Sequence, residues 1–115
     1  MDITAREKAL YIVELAHNKK AEDVVALDMR KISTFCDYFV ICSGSSHRMV
    51  KALCDNIKQD LKKSGIFAHH TEGEKEKEPT WALMDYGDVV IHVFHKETRP
   101  FYDLEWLWSD AKKLN

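Results

Sequence analysis

The stretch Met84 to His95, MDYGDVVIHVFH, sets two carboxylates, Asp85 and Asp88, three residues apart. Two imidazoles, His92 and His95, follow at the same spacing. Carboxylates and imidazoles are ligands of divalent metals, and paired carboxylates hold the cations of phosphoryl transfer. His69 and His70 add two more donors. Zinc, however, needs three or four donors converging at about 2 Å. Residues an odd number apart on a strand face opposite sides of the sheet. Neither His92 with His95 nor His69 with His70 can therefore chelate from its own strand. A site would have to gather donors from several strands, and neither a metal nor a cofactor is expected.

A second stretch, ICSGSSHRMVKAL from Ile41, has the order strand, Gly-Ser, helix. Nucleotidyltransferases begin this way, with a glycine that lets the backbone approach a phosphate and helix amides that face it. Such enzymes also need two or three metal-binding carboxylates on the adjoining strand. Here Asp55 falls inside a helix, and no D-x-D strand follows; Asp85 and Asp88 come much later, across a turn. A metal-dependent nucleotidyltransferase is the alternative function, and a strand-to-helix cap accounts for SGSS without it. Ser43, Ser45, Ser46 and Cys42 lie near His47, but no G-x-S-x-G elbow is present. No catalytic residue is expected.

The elements that must position these groups are legible from periodicity. Thr4 and Glu7 form a capping box before Ala9, Ile12, Val13 and Ala16, which predicts a helix over Thr4 to Asn18. Asp23 to Met29 and Asp37 to Ser43 read as strands, the second apolar on both faces as at a sheet centre. Ser45 or Ser46 caps a helix with the stripe Val50, Leu53, Cys54, Ile57 and Leu61, and Gly65 ends it. Ile66 to Thr71 reads as a third strand, parallel to and paired with the one before the helix. The charged run Glu72 to Pro79 is expected to be an unburied loop. TWALMDY and VVIHVFH form a hairpin around Gly87, which takes a positive φ at no steric cost. Asp103 to Lys113 reads as a last helix, capped by Asp103, with Leu104, Leu107, Trp108 and Ala111 inside. The economical solution is a single α/β (α+β) domain over residues 1–115, a mixed five-stranded sheet with flanking helices.

Composition narrows the function. A chain of 115 residues that is 45% apolar, with five Phe, four Tyr and three Trp, can bury a core without staples. Its net charge of −2 offers little grip on nucleic acid phosphates, so a protein partner is expected first and RNA contact second. Cys36, Cys42 and Cys54 have no CxxC spacing and read as reduced, mostly buried thiols. No apolar run is long enough to span a membrane, and the N-terminal stretch lacks signal-peptide character. A soluble, cytoplasmic protein with no membrane partner is expected. The hairpin, with Trp81, Met84 and Tyr86 beside Asp85 and Asp88, has either core composition or that of a protein-recognition patch.

Three ordered blocks resemble a known family. CDYFVICSGSSHRMVKAL from Cys36, WALMDYGDVVIHVF from Trp81, and ETRPFYDLEWLW from Glu97 are similar to the ribosomal silencing factor family, also called the Iojap family. Ile91 in place of the usual Val, and Pro100, are the departures. The resemblance implies a nucleotidyltransferase-like fold without catalysis. It implies binding to the large ribosomal subunit through a large-subunit ribosomal protein at the subunit interface. The bound factor would block joining of the small subunit when nutrients are scarce, with a further role in subunit maturation. Members often form homodimers when free. The partner-binding positions carried over are Trp81, Met84, Asp85, Tyr86, Asp88 and His92, with Gly87 structural. Trp81 and Tyr86 are taken as apolar anchors, and the aspartates as acceptors for basic groups or as turn staples. Leu104, Trp106 and Trp108 are assigned to packing of the last helix.

Overall fold

The structure, a computed structural model, describes residues 3–102, 104 and 109–115. Helix α1 (Ala5–Asn18) starts at the expected capping box: Thr4 Oγ1 accepts from the Glu7 amide at 3.0 Å, and Glu7 Oε1 accepts from the Thr4 amide at 3.2 Å. Its buried side is Ala9, Ile12, Val13, Leu15 and Ala16. Strands β1 (Glu22–Asp28) and β2 (Tyr38–Gly44) pair antiparallel. Helix α2 (His47–Lys63) is capped by Ser46, whose hydroxyl accepts from the Met49 amide at 3.0 Å. All five residues of its expected stripe are buried, and Gly65 follows with φ of 77°.

Strands β3 (His70–Glu72), β4 (Trp81–Asp85), β5 (Val89–His95) and β6 (Lys112–Lys113) complete one mixed sheet in the order β3-β4-β5-β2-β1-β6. It has six strands, not five. The parallel pair is β2 with β5, in register from Tyr38 opposite Val89 to Gly44 opposite His95. The expected pairing of β2 with the strand after α2 is thereby corrected. That strand is only three residues long and sits at the edge, antiparallel to β4. The reason is burial: β5, apolar on both faces, takes the place beside β2, whereas His70 and Glu72 are solvated and suit an edge.

Two more expectations change. Within the charged run, Glu74 is buried at 9% exposure. It accepts from Thr71 Oγ1 at 2.7 Å and from Lys58 Nζ at 3.3 Å, partners that make burial of a carboxylate tolerable. At the other end, Lys112–Lys113 are a strand rather than the close of a helix. The Leu114 amide donates to the Ala26 carbonyl at 2.9 Å. The Asn115 side chain bonds the Ala26 amide and the Val24 carbonyl at 2.8 and 3.0 Å, completing the edge of β1. Of the rest of the expected last helix, Asp103, Glu105, Trp106, Leu107 and Trp108 lie outside the described residues, while Ser109 and Asp110 form a turn.

The sheet separates two cores. Helices α1 and α2 pack on one face over Ala26, Tyr38, Val40, Cys42, Ala82, Met84, Val89, Ile91 and Val93. The other face gathers Leu27, Met29, Cys36, Ile41, Phe94 and Leu104, with Val25, Phe39, Trp81, Val90 and Ala111 half-buried against them.

Candidate functional site

The β4–β5 hairpin divides its own side chains between these two faces. Leu83 pairs with His92 and Trp81 with Phe94, so Trp81, Leu83 and Asp85 share a face with Val90, His92 and Phe94. Ala82 and Met84 point at the helices. The tip is tied down in three directions. The Asp85 carboxylate accepts from the Gly87 amide at 2.7 Å. Asp88 accepts from Lys8 Nζ of α1 at 2.7 Å, and its carbonyl receives the Asp37 and Tyr38 amides. Gly87 has φ of 86°, and a Cβ there would meet the His69 ring at 2.9 Å, so the position demands glycine. Asp85 is therefore a turn staple. Asp88 does not bond a turn amide; it ties the tip to α1.

Three expected partner-binding side chains lack surface. Met84 is 0% exposed and Tyr86 sits in the helix-side core. Burial, and then the nearby Cys54 and Glu74, push the Tyr86 hydroxyl up to about 12. Tyr86 and Trp81 were both expected as anchors, but Tyr86 packs inward and only Trp81 is half-exposed. His92 is 4% exposed. Its Nδ1 accepts from Trp81 Nε1–H at 3.2 Å, and its Nε2 has no partner among the described residues. Burial lowers its pKa to about 4, so the ring is neutral.

Around Trp81 the structure adds residues that strand periodicity did not point to. The indole stacks on Phe94 at 5.0 Å between centroids and lies 4.8 Å from Tyr102. Tyr102 and Phe101 belong to a 3₁₀ turn (Arg99–Tyr102) and are 45% and 85% exposed. The available signal was the Phe-Tyr pair directly after Pro100, two large aromatics within one short turn.

The other candidate chemistries do not assemble. His92 lies on the aromatic face, whereas His95 lies on the helix side, 4.5 Å from the His47 ring. His70 donates to Glu72 at 2.9 Å. Among the described residues, no three of His, Cys, Asp and Glu are placed to hold a metal. At the β2–α2 turn, a Cβ on Gly44 would approach the Val50 amide nitrogen to 2.9 Å, so this glycine permits close helix packing. Strand β5, alongside it, carries no carboxylate. Cys36, Cys42 and Cys54 are free and buried. Burial pushes the Cys42 and Cys54 thiols up to about 12, far from a nucleophilic thiolate. Ser43 accepts from Arg99 Nη1 at 2.9 Å.

Fold and site together define a small mixed-sheet α/β protein with an aromatic patch on the sheet face away from its helices. The family model described as ribosomal silencing factor during starvation matches residues 2–115. A Bacillus subtilis relative, ribosomal silencing factor RsfS, is 49% identical over 94 residues, 82% of this chain and 78% of its own. A mouse protein called mitochondrial assembly of ribosomal large subunit protein 1 is 30% identical over 99 residues, 85% of this chain and 43% of its own. A crystal structure of a Chromobacterium violaceum protein superposes with a TM-score of 0.87 at 32% identity, covering 93% of this chain and 88% of that one. The chain belongs to the ribosomal silencing factor family, as the three sequence blocks had indicated.

Proposed function

We propose that the protein binds the large ribosomal subunit through a ribosomal protein at the subunit interface. There its body blocks joining of the small subunit and lowers translation when nutrients are limiting. The observation that carries the docking site is the aromatic group at the end of the hairpin away from its braced tip, where half-exposed Trp81 meets Tyr102 and the neighbouring Phe101 stands exposed. Large aromatics at the rim of a rigid element have the composition of protein-interface anchors. Half-exposed Asp85, on the same face of β4 but about 13 Å along the strand, adds negative charge that favours a basic partner surface, whereas Asp88 is already paired with Lys8. A net charge of −2 suits a protein partner better than bare RNA. Family membership supports the ribosomal target, and the mouse relative's name refers to assembly of the large subunit, in keeping with a role in maturation. Such a factor works where the ribosomes are, in the cytoplasm, and a homodimer is its expected free form.

The test is a joining assay with purified subunits, together with co-sedimentation on large subunits. The protein should pellet with large subunits and reduce joining in proportion to occupancy. Joining unchanged at large molar excess sinks the proposal. Trp81→Ala should weaken co-sedimentation at least about tenfold while the chain stays folded.

A further inference from the structure

An imidazole is buried where an aliphatic side chain would cost less. His92 sits on the aromatic face of β5 with its Nδ1 accepting the Trp81 indole N–H at 3.2 Å. With Nδ1 occupied as an acceptor, the neutral ring carries its proton on Nε2. That donor is buried and has no acceptor among the described residues. A buried donor without an acceptor destabilises a fold, so stability alone does not account for a histidine at this position.

The Nδ1 atom, by contrast, has a clear task. Trp81 is held by two kinds of contact. Stacking on Phe94, with a tilted contact to Tyr102 at 43°, fixes the plane of the indole but is tolerant of rotation within that plane. The bond to His92 is directional and sets which edge of the indole faces outward. His92 is itself steadied by the Phe39 ring, which meets it at 4.5 Å and 62°. We infer that His92 is a positioning residue: it locks the half-exposed Trp81 indole in one orientation and so preorganises the docking surface. The inference rests on the docking role proposed for Trp81. Holding the ring before the partner arrives removes an ordering cost from association.

The experiment titrates the full chain against purified large subunits and reads the Trp81 indole N–H by ¹H–¹⁵N NMR, assigned by its loss in Trp81→Phe. His92→Leu removes both the acceptor and the orphan donor. It should keep or raise the melting temperature, shift the indole resonance, and weaken subunit binding about fivefold. His92→Asn, whose amide oxygen can stand in for Nδ1, should stay within about twofold of the parent and keep the resonance. In a Trp81→Phe background, where the ring remains but the donor is gone, His92→Leu should have no further effect. If His92→Leu does not fold, His92→Gln, whose longer side chain carries its oxygen past the Nδ1 position, replaces it in the same cycle. Parent-strength binding by the acceptor-less variant while Trp81→Ala is impaired overturns the positioning role alone. An equal loss in both backgrounds overturns it too. Parent-strength binding by Trp81→Ala removes the docking surface and this inference with it.

Discussion

The two faces of the sheet are built from the same strands and solve different problems. On the helix side, Met84, Val89, Ile91 and Val93 meet α1 and α2 and are fully buried. On the other side, Trp81, Phe39 and Val90 are only half-buried, a histidine is interred with a nitrogen that has no partner among the described residues, and Tyr102 and Phe101 stand exposed. Saturated apolar packing specifies a fold. On the docking role proposed for Trp81, aromatic surface next to an uncompensated polar atom gives up some stability for recognition.

The largest effect that would sharpen this contrast is on stability. Met84→Ala should cost about 2–5 kcal/mol, because it opens a cavity between sheet and helices. Chemical denaturation measures it, and subunit binding per folded molecule should not change. Trp81→Ala should do the reverse, losing binding with a smaller loss of stability. Equal stability losses from the two would erase the distinction between the faces.

Acid provides the next test. His92 has a folded pKa of about 4 against 6.5 for the free side chain, so the unfolded chain takes up its proton first. The stability this implies is fully present above pH 6.5 and is lost as pH falls towards 4, on the order of 1 kcal/mol per pH unit. Denaturation series at several pH values should show that slope, and His92→Leu should flatten it. A parent slope that survives the substitution would assign it to other groups.

Smaller effects probe the hairpin tip. Gly87→Ala forces an L residue into φ of 86° against the His69 ring and should destabilise by about 1–2 kcal/mol. Lys8→Met removes the ion pair with the part-exposed Asp88 and should cost below about 1 kcal/mol, less at high salt. Thermal melts rank the two, and a larger loss from Lys8→Met would mean that the tie to α1, not the turn conformation, holds the tip.

Local signals account for what could be read without coordinates. The stripe of α2, its Ser46 cap and Gly65 end, and the capping box of α1 all depend on residues within a few positions of one another. The hairpin and its glycine are of the same kind. The composition of β4 left the hairpin readable as core or as a recognition patch, because nothing in it says which face the helices cover. The resemblance carried Tyr86, Met84 and His92 over as partner-binding positions with Trp81, and packing put all three inside.

Family, the order of elements as far as β5, and turn chemistry were thus determined by the sequence itself, since they rest on types and spacings that short stretches carry. Tertiary structure alone decided that β5 stands between β4 and β2, that Lys112 and Lys113 return to the edge of β1, and that Tyr102 lies against Trp81. Each of these follows from long-range competition for burial and backbone partners. Such competition is settled by the whole chain at once, because a strand gains its place only when its neighbours are in theirs.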